Sequence, residues 1–325
     1  MPLQVLVVDQ PASAVPSDIS EYVAADWLAK HNAVTILPSV FSLKALRELA
    51  KPSMATQAFL GFGNPLLMGP KDSDRSAWAR QRCADPPSGS TQVASRGAPA
   101  NTSTLMRTGI VDVALIRRQW PLPETADELC AVAQSIGATE DAVYLGERAT
   151  ETTIKTLSTN GTLANARVVH FATHGLSAGE VGQVIGSKAE PALVLTPPWT
   201  ATNQDDGLLT ASEVAQLRLD ADWVTLSACN TASGSGPNPA AETLSGLAQA
   251  FFYAGGRALL VSHWALTSQP AVDLIVTTFN ALKVDRDIDR AEALRRAMAT
   301  LIASGGGNAH PGNWAPFVVV GAGLR

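Results

Sequence analysis

The sequence predicts an α/β fold, a mainly parallel sheet flanked by helices, and three observations carry that expectation. Short apolar runs alternate along the chain with segments of helical period. The runs are continuous in Val and Leu instead of alternating with polar residues, as in strands buried on both faces by helices. Finally, 325 residues with 46% hydrophobic and 16% charged content can bury a sizeable core.

Taken in order, Leu3–Val8 reads as a strand and Ile19–Lys30 as a helix with Tyr22, Val23, Trp27 and Leu28 on one face. Val34–Leu37 is a strand and Leu43–Leu49 an amphipathic segment. Ala58–Phe62 is a further strand, ended by the breakers Gly61, Gly63 and Pro65. From Pro70 to Thr104 the large apolar side chains are Trp78 and Val93 alone. A stretch so poor in them does not offset its ordering entropy, and a mobile surface loop is expected. Regularity returns with a helix at Glu124–Ile136, a strand at Ala142–Leu145, a helix near Glu151–Leu157 and strands at Arg167–Phe171 and Ala192–Leu195. The remainder gives helix Ala211–Leu217, strand Trp223–Leu226, helix Glu242–Tyr253, strand Ala258–Val261, helices Val272–Leu282 and Ala291–Leu301, and strand Phe317–Val320. No repeat of 20–50 residues appears, which argues against a solenoid. The expected organisation is one unit over 1–325: an N-terminal part to residue 69, the loop 70–104 and a core from 105 onward.

Composition excludes several function classes. The net charge is −5 and the pI 5.6, which argues against a nucleic-acid binder that relies on overall positive charge, so direct nucleic-acid binding is not expected. The N-terminus lacks a charged region ahead of an apolar run, and no stretch approaches a membrane span. The three cysteines, Cys83, Cys130 and Cys229, have neither zinc-site nor CxxC spacing. An odd, sparse set is a poor disulfide framework, which points to a reduced, cytoplasmic setting. No G-x4-G-K-[ST] or complete glycine fingerprint exists, and neither metal nor organic cofactor is implied.

Two strand ends carry chemistry, since reactive groups in open α/β sheets gather at the carboxyl ends of strands. Val168–Phe171 runs into Ala172-Thr173-His174-Gly175, and Val224–Leu226 runs into Ser227-Ala228-Cys229. If the strands are neighbours, His174 and Cys229 share one edge. A thiol with a pKa of about 8.5 is mostly protonated at neutral pH. An imidazole beside it takes that proton and later returns one to a leaving amine. The N–H groups of Gly175 and Cys229 would then hold a developing oxyanion. Cys229 follows His174 by 55 residues, and a His about 50 residues ahead of the Cys is the caspase arrangement. Against this, a lone strand-end cysteine is commonly a buried structural thiol, and a loop histidine is commonly satisfied by a carbonyl. Together, and in this order, the pair favours catalysis. His170 is expected to point opposite to Phe171, into packing or a supporting hydrogen bond; Cys83 reads as a loop thiol and Cys130 as core.

The phrases His170-Phe-Ala-Thr-His174-Gly175, Asp206-Gly207-Leu-Leu-Thr-Ala211, Leu226-Ser-Ala-Cys229-Asn-Thr231 and Trp314-Ala-Pro-Phe317 together resemble the CHAT domain. Further matches are Ala254-Gly255-Gly256, Ser262-His263-Trp264 and His310-Pro311. This caspase- and separase-related family (clan CD) is usually fused to tetratricopeptide repeats. The resemblance implies a caspase-haemoglobinase-like fold and a bacterial-type cysteine endopeptidase, with His174 as general base and Cys229 as nucleophile. Ala232 stands where the family often has Gly. The repeats are missing, and the start at Met1 looks N-terminally truncated relative to the family.

A protein or peptide substrate is implied, with a regulatory protein in trans as a further partner. Asp205, Asp206 and Glu242 are acids that would select a basic residue ahead of the scissile bond. Trp264 and Trp314 would supply an apolar wall unless both are core. Two rivals remain. One is a catalytically silent interaction or scaffold module that keeps the fold. The other is an α/β-hydrolase with Ser177 as nucleophile, from Gly175-Leu-Ser177-Ala-Gly179, with Asp206 and His263 or His310 downstream. That motif also needs a helix at once after it, and Val181–Glu190 has no helical period.

Overall fold

The computed structural model describes residues 2–9, 18–37, 53–85, 111–178, 181, 190–228, 246–264 and 268–321. The readings at Leu43–Leu49, Val93, Cys229 and Glu242 lie outside the described residues.

Seven strands form the central sheet: β1 (Thr35–Ile36), β2 (Gln57–Gly63), β3 (Val143–Leu145), β4 (Ala166–Ala172), β8 (Trp223–Ser227), β9 (Ala258–Ser262) and β10 (Phe317–Gly321). Their order is β1-β10-β9-β8-β4-β2-β3. The five from β9 to β3 are mutually parallel; β10 runs antiparallel to β9, and β1 follows β10. Every residue of β8, β9 and β10 is buried, which explains runs without polar alternation. The expected α/β class, a mainly parallel sheet flanked by helices, is what the strands form. A small antiparallel sheet, β5 (Gly175–Leu176), β6 (Ala192–Val194) and β7 (Leu208–Thr210), stands beside it.

Among the described residues the helices are α1 (Ile19–Ala24), α2 (Leu28–His31), α3 (Val113–Arg117), α4 (Glu124–Ser135), α5 (Glu151–Thr159), α6 (Ala211–Val214), α7 (Gly246–Ala254), α8 (Ser268–Val284), α9 (Arg290–Ser304) and α10 (Pro311–Trp314). Alternation along β4 sends neighbouring side chains to opposite layers. His170 meets α4 and α8, stacking on Phe279 with centroids 6.2 Å apart and accepting or donating a 2.9 Å bond with Glu128 of α4. Phe171 meets α7 through Phe251 at 5.4 Å and stacks on Phe62 at 5.2 Å. The expectation that His170 points away from Phe171 into a supporting bond holds. None of the helices among the described residues is long and apolar enough to cross a membrane.

Three readings are corrected. Leu3–Val8 is not a strand: Leu3–Val5 is a 3-10 turn, and Val7 makes one antiparallel bridge to Trp27. The Gln4 amide donates to the Ala315 and Phe317 carbonyls, which no ladder of apolar residues foretells. Ile19–Lys30 is broken after Ala24, because Ala25 is extended and Lys30 Nζ takes the Val23 and Ala25 carbonyls. The bend turns Trp27 into the core, edge-on to Trp314 at 5.5 Å. The stretch 70–85 is held rather than loose. Ser76–Ala79 is a 3-10 turn with Ala77 fully buried, and Asn64 Nδ2 donates to the Ala77 and Arg80 carbonyls. Arg80, 6% exposed, pairs with Asp127 of α4 at 2.5 Å. Polar anchoring replaces the missing apolar side chains; residues 86–110 lie outside the described residues.

The cysteine reading changes with it. Cys83 and Cys130 are joined as a disulfide, their Cα atoms 5.5 Å apart, so neither is a free thiol. The Arg80–Asp127 pair brings the Cys83 turn against α4, a proximity that spacing of 47 residues does not reveal. The cysteine count therefore no longer argues for a reducing compartment.

Candidate active site

Strands β4 and β8 are parallel neighbours, with Ala172 opposite Ser227. Their carboxyl ends lie at one edge, as the reading of His174 and Cys229 requires. Ser227 and Ala228 are buried, and the Ala228 carbonyl accepts from Ser262 Oγ at the end of β9. Cys229 and Glu242 lie outside the described residues.

His174 is fully buried, and its Nε2 lies 2.7 Å from the Trp120 carbonyl oxygen. A carbonyl only accepts, so Nε2 carries hydrogen and Nδ1 is the basic nitrogen of the neutral ring. The turn that presents this ring is fixed by the small sheet. Val194 N–H donates to the His174 carbonyl at 2.9 Å, and Thr173 Oγ1 donates to the Val194 carbonyl. Gly175 is registered with Leu193 one step along. Antiparallel pairs alternate between bonded and non-bonded, so the Gly175 N–H faces away from β6. Gly63, at the end of β2 beside β4, is needed for its size: a Cβ there would sit 2.7 Å from the Ala172 carbonyl oxygen.

Trp264 follows β9, two residues beyond Ser262, and is half-buried with its Nε1 donating to the Gly312 carbonyl at 3.2 Å. Its neighbour His263 donates its N–H to the Pro316 carbonyl, and burial pushes its imidazole pKa down. Trp314 is core: it is fully buried, with Nε1 bonded to the Ala309 carbonyl at 2.9 Å. His310 caps α10 by accepting from Gly312 N–H at 3.1 Å.

Asp206 belongs to a cluster of carboxylates around Lys155. Its N–H donates to Glu151 Oε2 at 2.9 Å, its Oδ1 accepts from Leu208 N–H, and burial raises its pKa. Glu151 is 1% exposed, and burial pushes its carboxyl up to about 7 although Lys155 Nζ bonds both it and Glu213. Asp205 accepts from the Thr152 N–H and hydroxyl at the start of α5. These contacts explain both aspartates as local structure.

Ser177 follows β5 rather than a strand of the parallel sheet. Ala178 and Val181 have helical backbone, and most of the Val181–Glu190 reading lies outside the described residues. The elbow still lacks its parallel strand, because β5 pairs antiparallel with β6. Among the described residues no group of three or more His, Cys, Asp or Glu side chains is placed to hold a metal. The Trp120 carbonyl escaped sequence reasoning, since any residue offers a carbonyl and none marks its partner.

Tetratricopeptide repeat protein 28 of Mus musculus is 26% identical over 228 residues, 63% of this chain, and the match spans 9% of that protein. A crystal structure of the Arg-specific cysteine proteinase gingipain R matches 60% of this chain and 41% of its own, at 12% identity and a TM-score of 0.38. The family model for the CHAT domain matches residues 2–322. The chain therefore belongs to the CHAT domain family.

Proposed function

We propose that the protein is a cysteine endopeptidase of caspase-like type. Cys229 attacks the scissile carbonyl, and His174 Nδ1 takes the thiol proton and returns it to the leaving amine. An acyl-enzyme forms and water releases it. The Gly175 and Cys229 N–H groups hold the oxyanion. The observation that carries this reading is the pairing of Ala172 with Ser227 on adjacent parallel strands, since each candidate residue stands two positions beyond it. The Nε2 bond to Trp120, which reserves Nδ1 as base, and the Gly175 N–H turned from β6 add support. Trp264 would wall the substrate pocket from the end of β9. Glu242 stays a candidate for charge selection, tested by comparing Arg and Lys with Asp and Ala fluorogenic peptides.

A thiolate-directed peptide ketone tests the reading. Stoichiometric labelling is expected in the native chain and in Cys83→Ala/Cys130→Ala, and its loss in Cys229→Ala. No labelling of well-folded protein at neutral pH would sink the enzyme. A silent interaction module is the second reading, favoured by the complete burial of the His174 ring. It expects unlabelled protein and unchanged partner binding in His174→Ala.

A further inference from the structure

At the opposite edge of the sheet, the amino ends of β2, β4 and β8 open onto a cavity of about 740 Å³. Ligand sites run from about 300 to 1,000 Å³, so the volume suits a small organic molecule. The half-buried Ile136, Val168, Leu282 and Ile288 supply the cavity's accessible apolar surface, backed by the buried Trp223 and Phe279 with centroids 4.8 Å apart. Its basic wall joins the end of α8 to the start of α9 and brings Lys283, Arg286 and Arg290, while Arg167 comes from β4.

The charges on this lining do not cancel. Its two acids are engaged: Asp222 pairs with Arg167 at 2.9 Å, and Asp289 caps α9 by accepting from Glu292 N–H at 2.7 Å. Lys283 and Arg286 make no ion pair among the described residues. The Arg290 guanidinium lies 5.8 Å from the Trp223 ring centroid, where burial lowers its pKa. A partly desolvated arginine beside accessible apolar side chains favours a ligand that brings negative charge and an apolar body together. The positive end of the 15-residue helix α9 adds to the same field.

We propose that this cavity binds a small organic anion, its apolar body against Ile136, Val168, Leu282 and Ile288 and its phosphate or carboxylate head on Arg290, Arg286 and Lys283. The seven residues of β4 separate it from the His174 edge by about 20 Å, so it is distinct from the candidate active site and independent of peptidase activity.

Titration calorimetry on the full chain tests this with AMP and 2-naphthoate as phosphate and carboxylate probes, beside adenosine and inorganic phosphate as half-ligands. One site per chain is expected for AMP or 2-naphthoate, and whichever binds names the head group. Each half-ligand is expected to bind at least about tenfold more weakly, about 1.4 kcal/mol for the part it lacks. Lys283 and Arg286 are exposed, so Lys283→Glu/Arg286→Glu is expected to weaken the probe at least about tenfold while leaving the melting temperature unchanged. The proposal is overturned if neither probe binds at millimolar concentration or if the double substitution leaves affinity unmoved. It also falls if inorganic phosphate alone binds as well, or if an acidic peptide binds where both probes fail.

Discussion

His174 Nε2 donates to the carbonyl oxygen of Trp120 at 2.7 Å, across 54 residues of sequence. That bond fixes ring orientation and tautomer together, as a buried orienting group does for a catalytic imidazole. Nitrogen NMR of the folded chain is expected to show the Nε2–H tautomer at neutral pH; the Nδ1–H form would remove the assignment of Nδ1 as base. Substituting His174→Ala is expected to lower kcat/KM on a cleaved peptide by about 10²–10⁴-fold.

The Glu128–His170 pair gives a second prediction. Both side chains are fully buried, and Glu128 Oε1 lies 2.9 Å from His170 Nε2. Removing Glu128 takes a hydrogen-bond partner from the buried His170, so Glu128→Ala is expected to cost about 1–3 kcal/mol in urea unfolding. Replacing both, as Glu128→Leu/His170→Phe, is expected to recover most of that loss. Equal losses in the single and double variants would refute it.

A third prediction concerns acid. Hydrogen bonds from Arg295, then Arg296, hold the Glu292 carboxyl down to about 2, against an ordinary 4.5. A depressed folded-state pKa contributes stability above the unfolded value and loses it as pH falls through the folded one. The melting-temperature gap between the native chain and Glu292→Gln is therefore expected to be full at pH 7. It narrows progressively from about 4.5 toward 2. A gap that widens on acidification would show that the Glu292 carboxyl is not held down in the folded chain.

The disulfide gives the fourth. Cys83 and Cys130 close a loop spanning 47 positions, and a cross-link of that span stabilises by roughly 2–4 kcal/mol. Cys83→Ala/Cys130→Ala is expected to unfold at correspondingly lower urea, measured without reductant. An unchanged midpoint would show that the Arg80 anchor alone holds the turn.

What the sequence disclosed follows from how each feature is encoded. Strands β4 and β8 were legible because Val168-Val169 and Trp223-Val224 open short, largely buried β-type runs, and His174 because it follows such a run. The alternation of His170 and Phe171 was legible for the same geometric reason. The Leu3–Val8 segment was not, since its apolar run meets a long-range bond from Gln4 instead of a neighbouring strand. The order of residues 70–85 was hidden because Asn64, Arg80 and Asp127 hold it through polar contacts distant in sequence. Asp206 reads as a selectivity acid in one dimension, and its partner Glu151 appears only once β7 meets α5.

The Cys83–Cys130 bond has a practical bearing on any assay of the Cys229 thiol. Buffers for thiol enzymes carry dithiothreitol to keep the nucleophile reduced, and the same reagent opens this cross-link. A preparation made ready for chemistry in that way would be measured with the Cys83 turn untied from α4. Activity titrated against a graded glutathione couple, instead of a single excess of reductant, would separate the readiness of the thiol from the integrity of the fold.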